Sequence, residues 1–558
     1  MQAESRRFNR RKFVAGSLSL PALAKALLGQ EGGPATRQGE YADASFSGGP
    51  IIGPFRPNWE SLKSYRCPEW FRDAKFGMWA HWSPQCVPEQ DDWYARGMYI
   101  QGSRQYDYHV KTYGHPSQFG YKDICQIWRA ENWDPEELIR LYAKTGAKYF
   151  VALANHHGNF DCWNSKYHPW NSVNVGPKRD IVGTWGTIAR AHGLKFGITV
   201  HGTPGRVWRE FMPVRYGSDE TGPMKGVPYD GMQSKADGKG KWWDGMDPEQ
   251  FNGRPHDKTD PCPEFVGHFM LRVQDLIDQY NPDLLYFDDN CDWDFDAGAP
   301  AGRKLDVWLG MPELTPPIMA YYYNAILRRN AGKLDAVFNI KNVPPAVRST
   351  LIRDFEMSQA DSVQPDPWQT DSCIGGWHYS RWIYENHKYR TPESMVHLLV
   401  DVVSKNGNLL LNIPLPGHGR PDDQELAFLE KFGGWMAINS EAIYSTRPWK
   451  VFGEGPTMHG GEKAYSELPT YVPGDIRFTT KGNTLYAIAL AWPKDGQLQI
   501  KSLASNSPHY PGQIARIGLL GSEPNLKWSR STDGVTVKLP ASPPCEFGWV
   551  FRINSSTA

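Results

Sequence analysis

The sequence predicts an α/β fold, a (β/α)8-like TIM barrel with a C-terminal β-sandwich domain, on three observations. Short apolar runs alternate with amphipathic helical stretches between residues 76 and 438, the signature of parallel strands joined by crossover helices. About seven or eight such units fall within roughly 380 residues, which favours a closed barrel over an open doubly wound sheet. Beyond Arg447 the pattern changes to short alternating strands separated by Gly and Pro turns, as in a sandwich.

In chain order, the units begin with a strand at Phe76 to Trp82, a helix at Pro135 to Thr145 and a strand at Tyr149 to Ala154. They continue with the helix Ile181 to His192, the strand Phe196 to Val200, the helix Glu264 to Tyr280 and the strand Leu284 to Phe287. Later units are the helix Ile318 to Arg329, the strand Ala336 to Ile340, the helix Ser394 to Ser404, the strand Leu409 to Ile413 and the helix Gln424 to Ile438. In the C-terminal part, Asp475 to Thr480, Leu485 to Ala491, Ile514 to Leu520, Val535 to Leu539 and Phe547 to Arg552 read as strands. No glycine-rich fingerprint follows any strand, which weakens a dinucleotide-binding reading.

The expected domains are an export signal over 1–28, a linker over 29–57, the barrel over 58–446 and the sandwich over 447–558. Arg10-Arg11-Lys12-Phe13 precedes an apolar stretch from Val14 to Leu28, which resembles a twin-arginine signal and implies an exported, periplasmic or extracellular protein. Gly16, Pro21 and Lys25 interrupt that stretch, so a membrane span is the weaker reading. Lys+Arg and Asp+Glu both total 61 among 558 residues, and without a basic tract nothing points to nucleic acid. The 23 Trp and 26 Tyr suit either a large aromatic core or a site that stacks on sugar faces. Eight cysteines are scattered without a C-x-x-C pair, which removes the common zinc patterns. They neither require nor exclude disulfides, and the oligomeric state is not legible.

Several strands end in polar side chains: His81-Trp82, His156-His157, His201, Asp288-Asp289, and Asn339 to Asn342. In a barrel these C-terminal ends form one ring, where the chemistry sits. Leu284, Tyr286 and Asp288 share one strand face and Leu285, Phe287 and Asp289 the other, so only one acid points inward. The histidines raise a metal reading. Adjacent residues such as His156 and His157 point to opposite faces of a strand and make a poor chelating pair, so no metal or other cofactor is expected. The alternative is hydrogen bonding to the hydroxyls of a small ligand, with Trp82, Trp93 and Trp163 as a stacking wall. Glycoside cleavage needs a second carboxylate, with the two pKa values pushed apart; Asp354, Glu356 and Asp361 are candidates that spacing does not separate. The long Gly202 to Pro261 segment belongs at the catalytic end, with Trp242 and Trp243 covering the substrate or the segment an irregular insertion.

These motifs in combination resemble the family 29 glycoside hydrolases, the retaining α-L-fucosidases. The stretches are Lys75-Phe76-Gly77 to His81-Trp82-Ser83, Trp93-Tyr94, Gly146 to His157, Gly176 to Asp180, Gly193 to Gly197, Asp283 to Asp289, Gly407 to Ile413 and Ser440 to Tyr444. The resemblance, from about residue 60 to 450, implies the same barrel and sandwich. It implies Asp288 as nucleophile and Glu356 as general acid/base. His81, His156, His157 and Trp93 match positions that hold the fucose hydroxyls, with Trp82, Tyr94, His201 and Trp377 as further substrate-binding residues. The implied substrate is a fucosylated oligosaccharide or glycoconjugate.

The departures are Trp368-Gln369 where many relatives read Trp-Glu, Gly158-Asn159 where many carry Asp, and His201 where some place Tyr. They leave both carboxylates in place and bear on substrate preference. The rival expectations are an exo-glycosidase for a galactose-configured sugar, separable with a panel of aryl glycosides, and a catalytically silent fucose-binding lectin-like barrel, separable by the absence of turnover.

Overall fold

The computed structural model describes residues 51–253, 263–291, 311–457, 469–522 and 524–555. The expected signal, most of the expected linker and the end of the Gly202 to Pro261 segment lie outside the described residues.

Eight parallel strands close into a barrel in sequence order: β1 (Phe76–Ala80), β2 (Tyr149–Asn155), β3 (Lys195–Val200), β4 (Leu284–Asn290), β5 (Val337–Lys341), β6 (Ile352–Asp354), β7 (Trp368–Cys373) and β8 (Gly407–Asn412). Closure is direct, with Phe76 to Trp79 of β1 in register with Leu409 to Asn412 of β8. Alternation sorts the side chains. Trp79, Tyr149, Val151, Leu284, Tyr286, Val337, Ile352 and Leu410 pack together inside the barrel. Phe150, Leu285, Phe287, Phe338 and Leu409 pack outward into the large core shared with the helices.

The main outer helices are α1 (Pro135–Thr145), α2 (Ile181–Ala191), α3 (Pro263–Tyr280), α4 (Met311–Arg329), α5 (Pro392–Ser404) and α6 (Asp423–Asn439). Their ends follow local chemistry. Asp134 caps α1 by accepting from Glu137 N, Pro135 fills the first position, and Gly146 closes it at φ 114°, a conformation that disfavours any Cβ. Asp422 and Glu425 form a capping box on α6. The helix expected from Ile318 starts at Met311 and runs through Pro316 and Pro317, residues that read as breakers in sequence.

Two barrel strands carry no apolar signal and were not expected. β6 has only three residues, too few to show a period. β7 is buried throughout yet reads Trp-Gln-Thr-Asp-Ser-Cys. Its glutamine is satisfied from within: Gln369 accepts from Tyr149 Oη at 3.0 Å and donates to Asp354 Oδ1 at 3.1 Å.

The C-terminal strands are β9 (Arg447–Glu454), β10 (Ile476–Lys481), β11 (Thr484–Ala489), β12 (Gln497–Ile500), β13 (Ile514–Leu519), β14 (Trp528–Ser531), β15 (Gly534–Lys538) and β16 (Trp549–Ser555). They form a five-stranded sheet in the order β13-β16-β11-β10-β9 and a three-stranded sheet β12-β15-β14, with Ile476, Phe478, Leu498, Ile517, Val537 and Phe551 in one core. This module is fastened to the barrel by buried charge. Asp401 of α5 pairs with Arg477 Nε of β10 at 2.6 Å and with Lys405 Nζ at 2.7 Å, and all three side chains are fully buried. Asp401→Ala leaves two buried cations facing each other, so unfolding in denaturant is expected to show a loss of about 3–5 kcal/mol. A loss under about 1 kcal/mol would mean that the triad is not what couples the two modules.

Candidate active site

The C-terminal strand ends enclose a cavity of about 260 Å³ lined by Trp79, His81, Asp92, Trp93, His156, His157, His201, Arg206, Asp288, Lys341, Glu356, Asp371 and Trp377. It lies just below the usual range for ligand cavities, ~300–1,000 Å³, and suits one sugar ring rather than an extended chain. A larger open groove of about 850 Å³ runs over the C-terminal sheets between Trp492 and Trp528, but Asp495 is its only carboxylate and it gathers no histidine.

Asp288 arrives on β4, whose pairing with β5 is irregular between Phe287 and Asn290. Such a bulge re-aims side chains at a barrel rim. The expected split of the two acids is what the chain adopts. Asp288 faces the cavity, while Asp289 accepts from Asn290 N at 2.8 Å and is pushed up by burial, partly offset by Arg206 and Thr203.

Lys341, the last residue of β5, organises the centre. Its Nζ contacts Asp288 Oδ1 and lies 2.8 Å from Glu356 Oε2. Asp288 Oδ2 lies 3.0 Å from His201 Nδ1 and 3.5 Å from His157 Nε2. Burial alone would raise the Asp288 carboxyl; the Lys341 ammonium, then His201 and His157, outweigh it and hold the group well below the usual carboxylate range. Reciprocally, burial lowers Lys341, but Asp288 and Glu356 outweigh that and hold it well above its ordinary value. Both shifts favour the ion pair, with Asp288 ionised and Lys341 charged.

The three candidates for the second carboxylate separate cleanly. Glu356, just past β6, lines the cavity with its side chain 26% exposed, against 13% for Asp288. Asp354 is buried inside the barrel under Gln369, and Asp361 is exposed outside the cavity.

The histidines form one packed group, with His81 4.5 Å from His378, 4.8 Å from His201 and 5.1 Å from His156 between ring centroids. Gln85 Nε2 donates to His156 Nδ1 at 2.6 Å, which places the proton of the neutral ring on Nε2, 3.6 Å from Asp92 Oδ1. His157 Nδ1 donates to the His201 carbonyl at 2.6 Å and so turns Nε2 toward Asp288. Burial lowers His81, His156 and His201 below their ordinary value, leaving neutral rings suited to hydroxyl groups.

Contrary to expectation, His156 and His157 both face the cavity. The alternation argument fails because β2 ends at Asn155 with an irregular register between Leu153 and Asn155, so the pair lies in a turn. Ligand atoms of His81, His156 and His201, of Asp92, His156 and His378, and of His157, His201 and Asp288 come within metal-binding reach of one another. The nitrogens of His156 and His378 are engaged with Gln85, Ser83 and Asp92, and Lys341 already places a cation on Asp288. The donor set therefore fits hydroxyl recognition better than chelation.

Three expected wall residues are corrected. Trp82 is buried behind the cavity, donating to Pro416 O at 2.9 Å and packing on Trp128 and Trp133, because alternation after His81 sends it outward. Tyr94 is fully buried with its hydroxyl 2.8 Å from His109 Nδ1; it turns away where its neighbour Trp93, at φ 61°, turns in. Trp163 likewise donates to Asp275 Oδ2 at 3.0 Å and is buried. Trp242 donates to Asp123 Oδ1 and Trp243 is buried near Lys122, so neither lines the cavity; Arg206 is what the same segment contributes. Gln369 lies in the barrel interior and not at the cavity. Gly158 O accepts from Arg215 Nη2 at 2.9 Å, and Asn159 is buried.

Sequence reasoning missed Trp79, Asp92, Arg206, Lys341 and Asp371. Lys341 was the most legible of them, a cation closing an apolar strand next to the acid-bearing one.

The comparisons agree with this geometry. The alpha-L-fucosidase family model matches residues 51–441, and the alpha-L-fucosidase C-terminal domain model matches residues 470–554. Tissue alpha-L-fucosidase of Homo sapiens is 27% identical over 513 residues, 90% of this chain and 92% of that protein, and alpha-L-fucosidase of Branchiostoma floridae is 26% identical over 90% of this chain and 96% of its own. The crystal structure of Thermotoga maritima alpha-fucosidase in complex with fucose superposes with a TM-score of 0.65 at 26% identity, covering 89% of this chain and all of that one. With its barrel, its appended sheets and most of its length matched, this chain belongs to the alpha-L-fucosidase family of glycoside hydrolases.

Proposed function

We propose that this α-L-fucosidase removes terminal α-L-fucosyl residues from glycans by a double displacement with retention of configuration. The observation that carries the reading is Lys341, whose single ammonium touches both Asp288 and Glu356. Oxygens bound to one nitrogen are at most two hydrogen-bond lengths apart. That matches the ~5–5.5 Å carboxyl separation of retaining enzymes and not the ~6.5–9.5 Å that leaves room for an attacking water. The small cavity supports exo action on one terminal ring.

In this scheme the ionised Asp288 attacks the anomeric carbon while Glu356, the more exposed of the two, gives its proton to the leaving oxygen. A water then enters on the Glu356 side, loses a proton to that carboxylate and displaces Asp288, restoring the enzyme. Lys341 is charged throughout and cannot serve as the proton donor; it steadies both carboxylates as charge moves between them. His81, His156 and His157 hold the sugar hydroxyls, with Trp93 and Trp377 against the ring. Export by the Arg10-Arg11 signal belongs to the same proposal, and no helix among the described residues is long and apolar enough to cross a membrane.

Hydrolysis of an aryl α-L-fucoside tests the roles. Glu356→Ala is expected to lose roughly 10²–10⁴-fold in kcat/KM, and Asp288→Gly more. Added azide should give the α-fucosyl azide from Glu356→Ala and the β-fucosyl azide from Asp288→Gly. Full activity in Asp288→Gly ends the scheme. Lys341→Met removes the cation that holds Asp288 low, so its carboxyl rises and the acid limb of the kcat/KM profile moves to higher pH. The rate is expected to drop about 10²-fold, and an unmoved acid limb would sink this account of Lys341.

A further inference from the structure

The cavity floor offers more hydrogen bonding than a methyl group can use. Trp79 Nε1, His201 Nε2 and Asp371 Oδ1 are all buried and all without a hydrogen-bond partner, and the three residues line the same cavity. Asp371 is fixed from behind: Tyr286 Oη donates to its Oδ2 at 2.9 Å and lies 3.4 Å from Asp354 Oδ2. The rings are fixed as well, with Trp79 5.7 Å from His201, 5.9 Å from Tyr286 and 5.4 Å from Trp377. The orphaned atoms are therefore set in place before any ligand arrives.

A sugar whose anomeric carbon lies between Asp288 and Glu356, and whose ring hydroxyls meet the histidines, has one substituent left, that on C5. Of the walls left for it, the floor formed by Trp79, His201 and Asp371 is the one that carries buried, unpaired polar atoms. In L-fucose that substituent is a methyl; in L-galactose it is a hydroxymethyl, and the two sugars are otherwise identical. A methyl would lie well against the indoles but leave the three polar atoms unpaired, a costly state in a buried site. A hydroxyl there can accept from Trp79 Nε1–H and donate to Asp371 Oδ1. Burial pushes Asp371 up to about 6, so at neutral pH the carboxylate is available as an acceptor.

We propose that the pocket takes α-L-galactosyl residues as well as α-L-fucosyl ones, with Asp371 and Trp79 binding the additional hydroxyl. The inference rests on the double-displacement reading above and goes beyond it in substrate range. The proposed chemistry needs no change: the same glycosidic bond breaks, Asp288 forms the same ester, and water completes the hydrolysis.

The test compares aryl α-L-galactoside with aryl α-L-fucoside carrying the same leaving group. In wild type the two kcat/KM values are expected to fall within about 10-fold; a gap approaching the ~10² by which an apolar pocket rejects an added hydroxyl overturns the inference. Asp371→Leu, and independently Trp79→Phe, which keeps a ring in place, should each lower the galactoside-to-fucoside ratio by about 10- to 100-fold. Variants that slow both substrates equally show a structural role only and also overturn it. Turnover of fucoside alone removes the inference and leaves the proposed function standing; a wild type silent on both substrates removes both.

Discussion

One ammonium group at the end of a barrel strand is the constraint on which the charge arrangement of the cavity depends. Lys341 lies against Asp288, Glu356 and, deeper, the influence of Asp371 and Asp354. Carboxylates held this close repel one another, and without a cation between them at least one would take up a proton. With it, Asp288 is held ionised while Asp354 and Asp371, farther down, are pushed up by burial. A single charge thus separates acids of the same kind into an ionised member at the cavity and more readily protonated members below.

That arrangement requires polar groups inside the barrel beside the apolar ones. β7 contributes Gln369 and Asp371 where other barrel strands contribute Leu, Val and Tyr. Tyr149 and Tyr286 reach across to satisfy them. Buried polar groups of this sort are tolerated only when paired, and the atoms left unpaired on the cavity side are the ones a ligand can reach.

Identity of 26–27% with the relatives extends over about nine-tenths of the chain. Gln369 serves the barrel interior, where Tyr149 and Asp354 satisfy its amide. His201 does more, lying against Asp288 on one side and Trp79 on the other.

The sequence by itself determined the barrel with its appended sheets, six of the eight strands, the inward direction of Asp288, and a ring of polar residues at the strand ends. These follow from local periodicity, which is written in consecutive residues. Only the tertiary structure decided the rest. β6 and β7 escaped because a strand stabilised by partners some 220 and 15 positions away in sequence carries no local pattern. His156 and His157 share a face because a strand ended one residue too soon for alternation to hold. Glu356 separated from Asp354 and Asp361 because position around a closed ring is set by which strands meet, and Lys341 became central for the same reason: its two carboxylate partners come from different strands.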